Sequence, residues 1–265
     1  MADYTISGGI SVINWINRRR FFAIAAAATC ILPFTVSYAA SDSMRDVDVA
    51  IVFSIDTSFS IDRENALRQR DGHARALRSK RVLNAIKSGP RGCIAIAYIE
   101  WSGQGSVRKI LPWTIICDGN QAAEAARIIV KRGFAGVSRH AHRLTSISYA
   151  IDVGNLLLDG FPADASRKVI DISSNGTNND GVPVAVSRGR ALGRGHVINA
   201  IVLPPADPRH EPEDLPGYFR ENIIGGPGSF VIAPREPNDY CTALLRKLVQ
   251  EIAGVRERAI SSDFR

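Results

Sequence analysis

The sequence predicts an α/β fold, a doubly wound, mostly parallel sheet flanked by helices on both faces. Three observations carry this: β-branched apolar runs too continuous for strands with one wet face, helical periodicity between those runs, and Gly, Pro or Ser at the junctions. Parallel strands need crossovers, and helices supply them in few residues, so the alternation puts the sheet inside and the helices outside. With 265 residues, 45% of them hydrophobic, the chain can bury a sizeable core. Its 22 Gly and 13 Pro show no repeat, which excludes a collagen-like or coiled-coil chain.

Val47–Ile55 is a nearly unbroken apolar strand ending at Asp56. The spacing of Ala66, Leu67, Ala74, Leu77, Leu83 and Ile86 predicts one helix over Asp62–Lys87, stopped by Ser88-Gly89-Pro90. Strands follow over Cys93–Trp101 and Val107–Ile116, with Ser102-Gly103-Gln104-Gly105 as a hairpin or short connection. Helices are expected over Gln121–Lys131, Thr145–Leu158 and Pro183–Leu192, and strands over Lys168–Ser173 and His196–Leu203. Pro204–Pro216 reads as a surface loop, Gly225-Gly226-Pro227-Gly228 as a tight loop without the Lys-Ser/Thr of a phosphate loop, Phe230–Ala233 as a last strand and Asp239–Ala253 as a closing helix.

Ahead of this domain, Arg18-Arg19-Arg20, the apolar stretch Phe21–Val36 and the small residues of Ser37-Tyr38-Ala39-Ala40 follow the order of a secretory signal. The expected organisation is a leader and signal peptide over residues 1–39 and one domain over residues 40–265, exported to the periplasm or secreted. An uncleaved anchor through residues 21–36 is the alternative, although Pro33 and the short length argue against a permanent span. Ala27-Ala28-Thr29 is a poor lipobox for Cys30. Past the signal stand Cys93, Cys117 and Cys241, with no metal spacing; two of them can pair in an oxidising compartment, and Cys93, inside an apolar run, reads as a small buried hydrophobe. The formal charge of +7 arises from scattered basic residues without an aromatic platform, so nucleic acid is not an expected partner.

Open α/β sheets bind ligands beyond the carboxyl ends of their strands. There the sequence places Asp56-Thr57-Ser58-Phe59-Ser60, a D-x-S-x-S motif before the first helix. Its alternation turns Asp56, Ser58 and Ser60 toward one point near a helix amino end. One carboxylate with hydroxyls suits a hard divalent cation, Mg2+ or otherwise Mn2+ or Ca2+; the bland reading of the same residues is a helix N-cap.

With this motif in this fold context, the chain resembles the von Willebrand factor type A domain, within a group of exported bacterial proteins of unknown function. The segments that carry the resemblance are VDVAIVFSIDTSFSID, AIAYIEWSG with LPWTII, LTSISYAID, RKVIDISSNGTNN, GHVINAIVLP, IIGGPGSFV and LLRKLVQEIAG, spanning about residues 46 to 254. The resemblance implies a metal-ion-dependent adhesion site in a Rossmann-like fold. Asp56, Ser58 and Ser60 match its first loop, Thr145 its second-loop threonine, and Asn175 stands where the third loop has an aspartate. Asn keeps a carbonyl oxygen but loses a charge, so ion affinity is expected to fall; Asp180 could approach through a water. The resemblance further implies a protein partner whose carboxylate completes the ion's coordination, and binding without catalysis.

Two other readings stay open. An exported Mg2+-dependent hydrolase would use Asp56 as nucleophile with Ser58 or Thr145 assisting, but the second acid expected two positions later is Ser58. A metal-free scaffold would keep the fold with the site lapsed through Asn175. His73, His140, His142, His196 and His210 read as solvated loop residues, and Trp101 and Trp113 as packing residues near strand ends.

Overall fold

The computed structural model describes residues 44–136, 144–204, 214–234 and 236–254. The signal and anchor, Cys30, His140, His142 and His210 fall outside these residues. The described part holds a six-stranded sheet of order β3-β2-β1-β4-β5-β6: β1 Val47–Asp56, β2 Ile94–Trp101, β3 Val107–Ile116, β4 Ala165–Ser174, β5 Val197–Val202 and β6 Val231–Ile232. Only the β2–β3 pair is antiparallel. β1 is buried at all ten positions, and its side chains divide between two cores. Val49, Ile51, Phe53 and Ile55 face one, Ala50 and Val52 the other.

On the first face lie α1 Arg63–Leu77, α2 Lys80–Lys87, α3 Gly119–Arg132 and α7 Tyr240–Ala253. α4 Ile147–Asp159, α5 Val184–Gly193 and α6 Leu215–Tyr218 cover the second. The sheet is doubly wound, as the sequence predicts, and the chain leaves β1 toward β2 on one side while β4 adds on the other. That switch opens a crevice between the carboxyl ends of β1 and β4.

Four expectations are corrected. The helix expected over Asp62–Lys87 is two, because the Ser79 hydroxyl accepts from Val82 N at 3.2 Å and caps a new helix that starts at Lys80, two residues, Arg78 and Ser79, separating it from the end of the first at Leu77. The loop expected over Pro204–Pro216 stops short of Leu215, because the Asp214 side chain caps α6; α6 then runs into a π-helical turn, Phe219–Ile223, and Leu215, Phe219 and Ile223 are buried. Cys93 is not a free hydrophobe but is disulfide-bonded to Cys117, tying the start of β2 to the end of β3. His73 and His196 are buried rather than solvated: His73 packs edge-on against Phe53 and Tyr98, and His196 Nδ1 meets Asn155 Oδ1 at 2.8 Å. Trp101 is core and Trp113 packs edge-on against Phe161, as packing residues should. Among the described residues no helix is long and apolar enough to cross a membrane.

A charged group lies within the first core. Lys247 of α7 pairs with Asp171 of β4 and, at 2.5 Å, with Glu251, which also accepts from Asn199 Nδ2 at 2.9 Å. Burial raises the Asp171 carboxyl well above its usual range, and the neighbouring Glu251 adds to this against the pull of Lys247.

Replacing both Cys93 and Cys117 by Ala should destabilise the domain by about 3 kcal/mol in urea unfolding, because the cross-link closes a loop of 24 residues. A second expectation concerns acid. His73 Nδ1–H donates to the Gln69 carbonyl at 2.7 Å, its Nε2 has no partner, and burial pushes the imidazole down to about 4. The unfolded imidazole titrates near 6.5, so this contribution is complete above that pH and is lost as pH falls toward 4, a change of about 3 kcal/mol. Stability measured from pH 7 to pH 4 should fall steeply in the wild type and less steeply in His73→Gln.

Candidate functional site

At the crevice, Asp56 ends β1 with no exposed surface. A buried carboxylate must be hydrogen-bonded where it sits. Oδ1 accepts from Ser58 N at 2.7 Å and Oδ2 from the Ser174 hydroxyl at 2.6 Å. The first bond folds the loop back over the strand end, so Ser58 and Ser60 point the same way, with their hydroxyls 3.2 Å apart. Asp62 then caps α1, accepting from Asn65 N at 2.7 Å. The N-cap role therefore belongs to Asp62 and leaves the three motif oxygens to the crevice.

The second loop supplies Thr145, whose hydroxyl donates to Ser58 Oγ at 3.1 Å across 87 positions of sequence. It is held from behind: Thr145 N donates to Asn179 Oδ1 at 2.7 Å, Asn179 N donates back to the Thr145 carbonyl at 3.0 Å, and Ser146 caps α4. The third loop supplies Asn175, across 115 positions, whose Oδ1 accepts from Ser60 Oγ at 2.8 Å and whose Nδ2 donates to the Ser60 carbonyl at 3.0 Å. All five residues singled out in the sequence thus meet. Asp180 does not join them, because its Oδ2 accepts from Gln104 N at 2.6 Å in the loop after β2.

Sequence reasoning missed two residues of this region. Ser174 holds the Asp56 carboxylate, and Gln69 of α1 donates to the Asp56 carbonyl at 3.0 Å while accepting from Ser173 Oγ at 2.7 Å. Ser173 also meets the Tyr240 hydroxyl at 3.1 Å, which ties the strand end to α7. A Gln at a buried helix position was the available signal.

The donor set is one carboxylate, three hydroxyls and one amide oxygen. Successive oxygens lie 3.1, 3.2 and 2.8 Å apart from Thr145 through Ser58 and Ser60 to Asn175. Neighbouring ligands around Mg2+ bonded at about 2.1 Å are separated by about 3 Å, so both spacing and oxygen chemistry fit such an ion. Among the described residues no group of three or more His, Cys, Asp or Glu side chains offers a competing site.

The family model described as a protein of unknown function, DUF1194, matches residues 46–256. The chain belongs to this family. No curated protein matches it by sequence. Solved structures similar to this DUF1194 chain include von Willebrand factor type A domains. One is the von Willebrand factor type A protein from Catenulispora acidiphila (15% identity, TM-score 0.54, 79% of this chain and 43% of that one). Another is the proximal thread matrix protein 1 from the mussel byssus with a zinc-occupied metal-ion-dependent adhesion motif (15%, 0.51, 78% and 48%). A third is the von Willebrand domain of the type V pili tip protein Mfa5 from Porphyromonas gingivalis (11%, 0.52, 82% and 99%). The chain spans less than half the length of the first two. At these identities the likeness establishes the fold, which is that of a von Willebrand A domain.

If Ser174 fixes the carboxylate of this DUF1194 domain, Ser174→Ala should cost about 2 kcal/mol in denaturant unfolding, the loss of a buried charge-assisted hydrogen bond. An unchanged midpoint would show that the carboxylate is held by other groups.

Proposed function

We propose that this chain is an exported binding module, in which Asp56, Ser58, Ser60, Thr145 and Asn175 hold a divalent cation of the Mg2+ type that captures a protein partner through a carboxylate. The observation that carries the reading is the meeting of four side-chain oxygens from three loops at the switch of the sheet, spaced for such an ion. The bound ion would supply positive charge to an acidic side chain of the partner. Asp56 contributes the one carboxylate of the set, so a doubly charged ion keeps net positive charge there and favours an anionic ligand. Among the described residues no general base or nucleophile pair accompanies the cradle, which supports binding over hydrolysis. The zinc in the mussel protein and the pilus tip origin of the Mfa5 domain support the same reading by analogy of fold.

Export rests on the basic, apolar and small-residue order of residues 18–40, and the Cys93–Cys117 disulfide supports an oxidising compartment. On this reading residues 1–39 are removed, residues 40–265 act in the periplasm or outside the cell, and no membrane span remains.

Titrating Mg2+ or Mn2+ into the purified domain should raise its melting temperature by about 3 °C at tenfold excess over Kd, and leave Asp56→Ala unmoved. Asn175→Asp should tighten the ion by about tenfold, since it restores a second charged ligand. Capture of the partner from the exported fraction should be lost with a chelator. Identical melting curves for wild type and Asp56→Ala across the titration would reject the site.

A further inference from the structure

Seven large apolar side chains are exposed among the described residues, and three of them stand on the three loops that build the cradle: Phe59, Leu144 and Val182, exposed by 67%, 47% and 39%. The first loop turns Phe59 outward. The Ser58 carbonyl accepts from Ile61 N at 2.9 Å, which closes a turn with Phe59 at its first central position, and Ile61 is buried while Phe59 stays outside. Turn positions ordinarily take Gly, Pro, Asn, Asp or Ser, so the ring supplies nothing that the turn requires.

Leu144 precedes Thr145, whose hydroxyl donates to Ser58 Oγ at 3.1 Å, so Phe59 and Leu144 each stand one residue from an end of that bond. Val182 follows Gly181, whose φ of +83° lets the third loop pass so close to the start of α4 that a Cβ there would lie 2.7 Å from Ser146 Oγ. The three apolar side chains therefore rim the polar crevice. Single exposed apolar residues scattered over a surface carry no message, whereas a set gathered around a polar site marks a contact surface. The ion held in the cradle draws a carboxylate, and the rim around it draws apolar surface. In an extended chain, side chains two positions apart point the same way and lie about 7 Å apart. An acid entering the crevice thus brings the residues two positions before and after it onto the rim.

We infer that Phe59, Leu144 and Val182 form a selectivity rim, which accepts an extended segment of a protein partner whose acidic residue has a large aliphatic residue two positions away on either side. The inference rests on the ion reading above: the ion takes the carboxylate, and the rim decides which carboxylates are taken. Phe59, as the aromatic member, is its main anchor.

Isothermal titration calorimetry of the purified chain in Mg2+ tests this with two end-capped peptides, Leu-Ser-Glu-Ser-Leu and Ser-Ser-Glu-Ser-Ser. The leucine peptide should bind at least about tenfold more tightly than the serine peptide, and a chelator should abolish its binding. In the double variant Phe59→Ser with Leu144→Ser the two affinities should come within about twofold of each other, while the rise in melting temperature caused by Mg2+ persists. No binding of the leucine peptide, equal affinity of the two peptides for the wild type, or an undiminished preference in the variant overturns the inference and leaves the ion reading standing. Capture of the wild type, but not of the variant, by phosphatidylglycerol vesicles without Mg2+ overturns it too, because the rim is then a membrane contact. A wild-type melting temperature that Mg2+ does not move overturns the ion reading, and this inference with it.

Discussion

The structure is organised around a carboxylate withdrawn from water at the end of a strand that is buried along its whole length. Asp56 has no exposed surface, so its oxygens must find donors within a few ångströms. One donor is Ser58 N, which bends the chain as it leaves β1; the other is Ser174, which belongs to the neighbouring strand. Those two bonds join the ends of β1 and β4. The positions of Ser58, Ser60 and Asn175 follow, because they flank the residues so fixed. Thr145 arrives separately, held by an exchange of hydrogen bonds with Asn179 that links the second loop to the third.

The charged group within the core plays a different part. Burying Lys247 with Asp171 and Glu251 contributes little net stability, since desolvation offsets most of the attraction. Its effect is on register. Tyr240, Lys247 and Glu251 recur on α7 at intervals of seven and four, and they meet Ser173, Asp171 and Asn199 on the sheet. Sliding α7 by one turn would break all three contacts, whereas an apolar stripe alone tolerates such a shift. The helix that closes the fold is therefore set against the same strand that brings Ser174 and Asn175 to the crevice.

Much of this was legible in the sequence, for a physical reason: continuous apolar runs and D-x-S-x-S are local patterns whose geometry is short-range. β3 matches its expected bounds, and β1 extends one residue further, to Asp56 itself. What periodicity could not show was where side chains cap or pair. Ser79 interrupts a helical pattern without altering its spacing, and Leu215, Phe219 and Ile223 keep an i, i+4 rhythm hidden behind prolines. Burial of His73 depends on Phe53 and Tyr98 from two strands, which no single window contains. The Cys93–Cys117 pair was within reach, since an antiparallel hairpin that sets Ile94 opposite Ile116 sets the two cysteines opposite as well. Ser174 and Gln69 needed the register of β4 against β1.

The substitution at position 175 gives the proposed site its character. Asn175 reproduces the shape of a third-loop acid, accepting from Ser60 and donating back to it, but brings no charge. Asp180, the nearest acid along the loop, is committed to Gln104. A cradle with a single carboxylate holds a divalent ion weakly and leaves it short of negative charge. On the proposed reading, an incoming carboxylate would supply what Asn175 lacks, so ion and partner would each raise the other's affinity by the same factor, as linkage between two ligands requires. On that reading the domain would bind its ion firmly only when an acidic partner is present, and the neutral amide would make that dependence stronger than a second aspartate would.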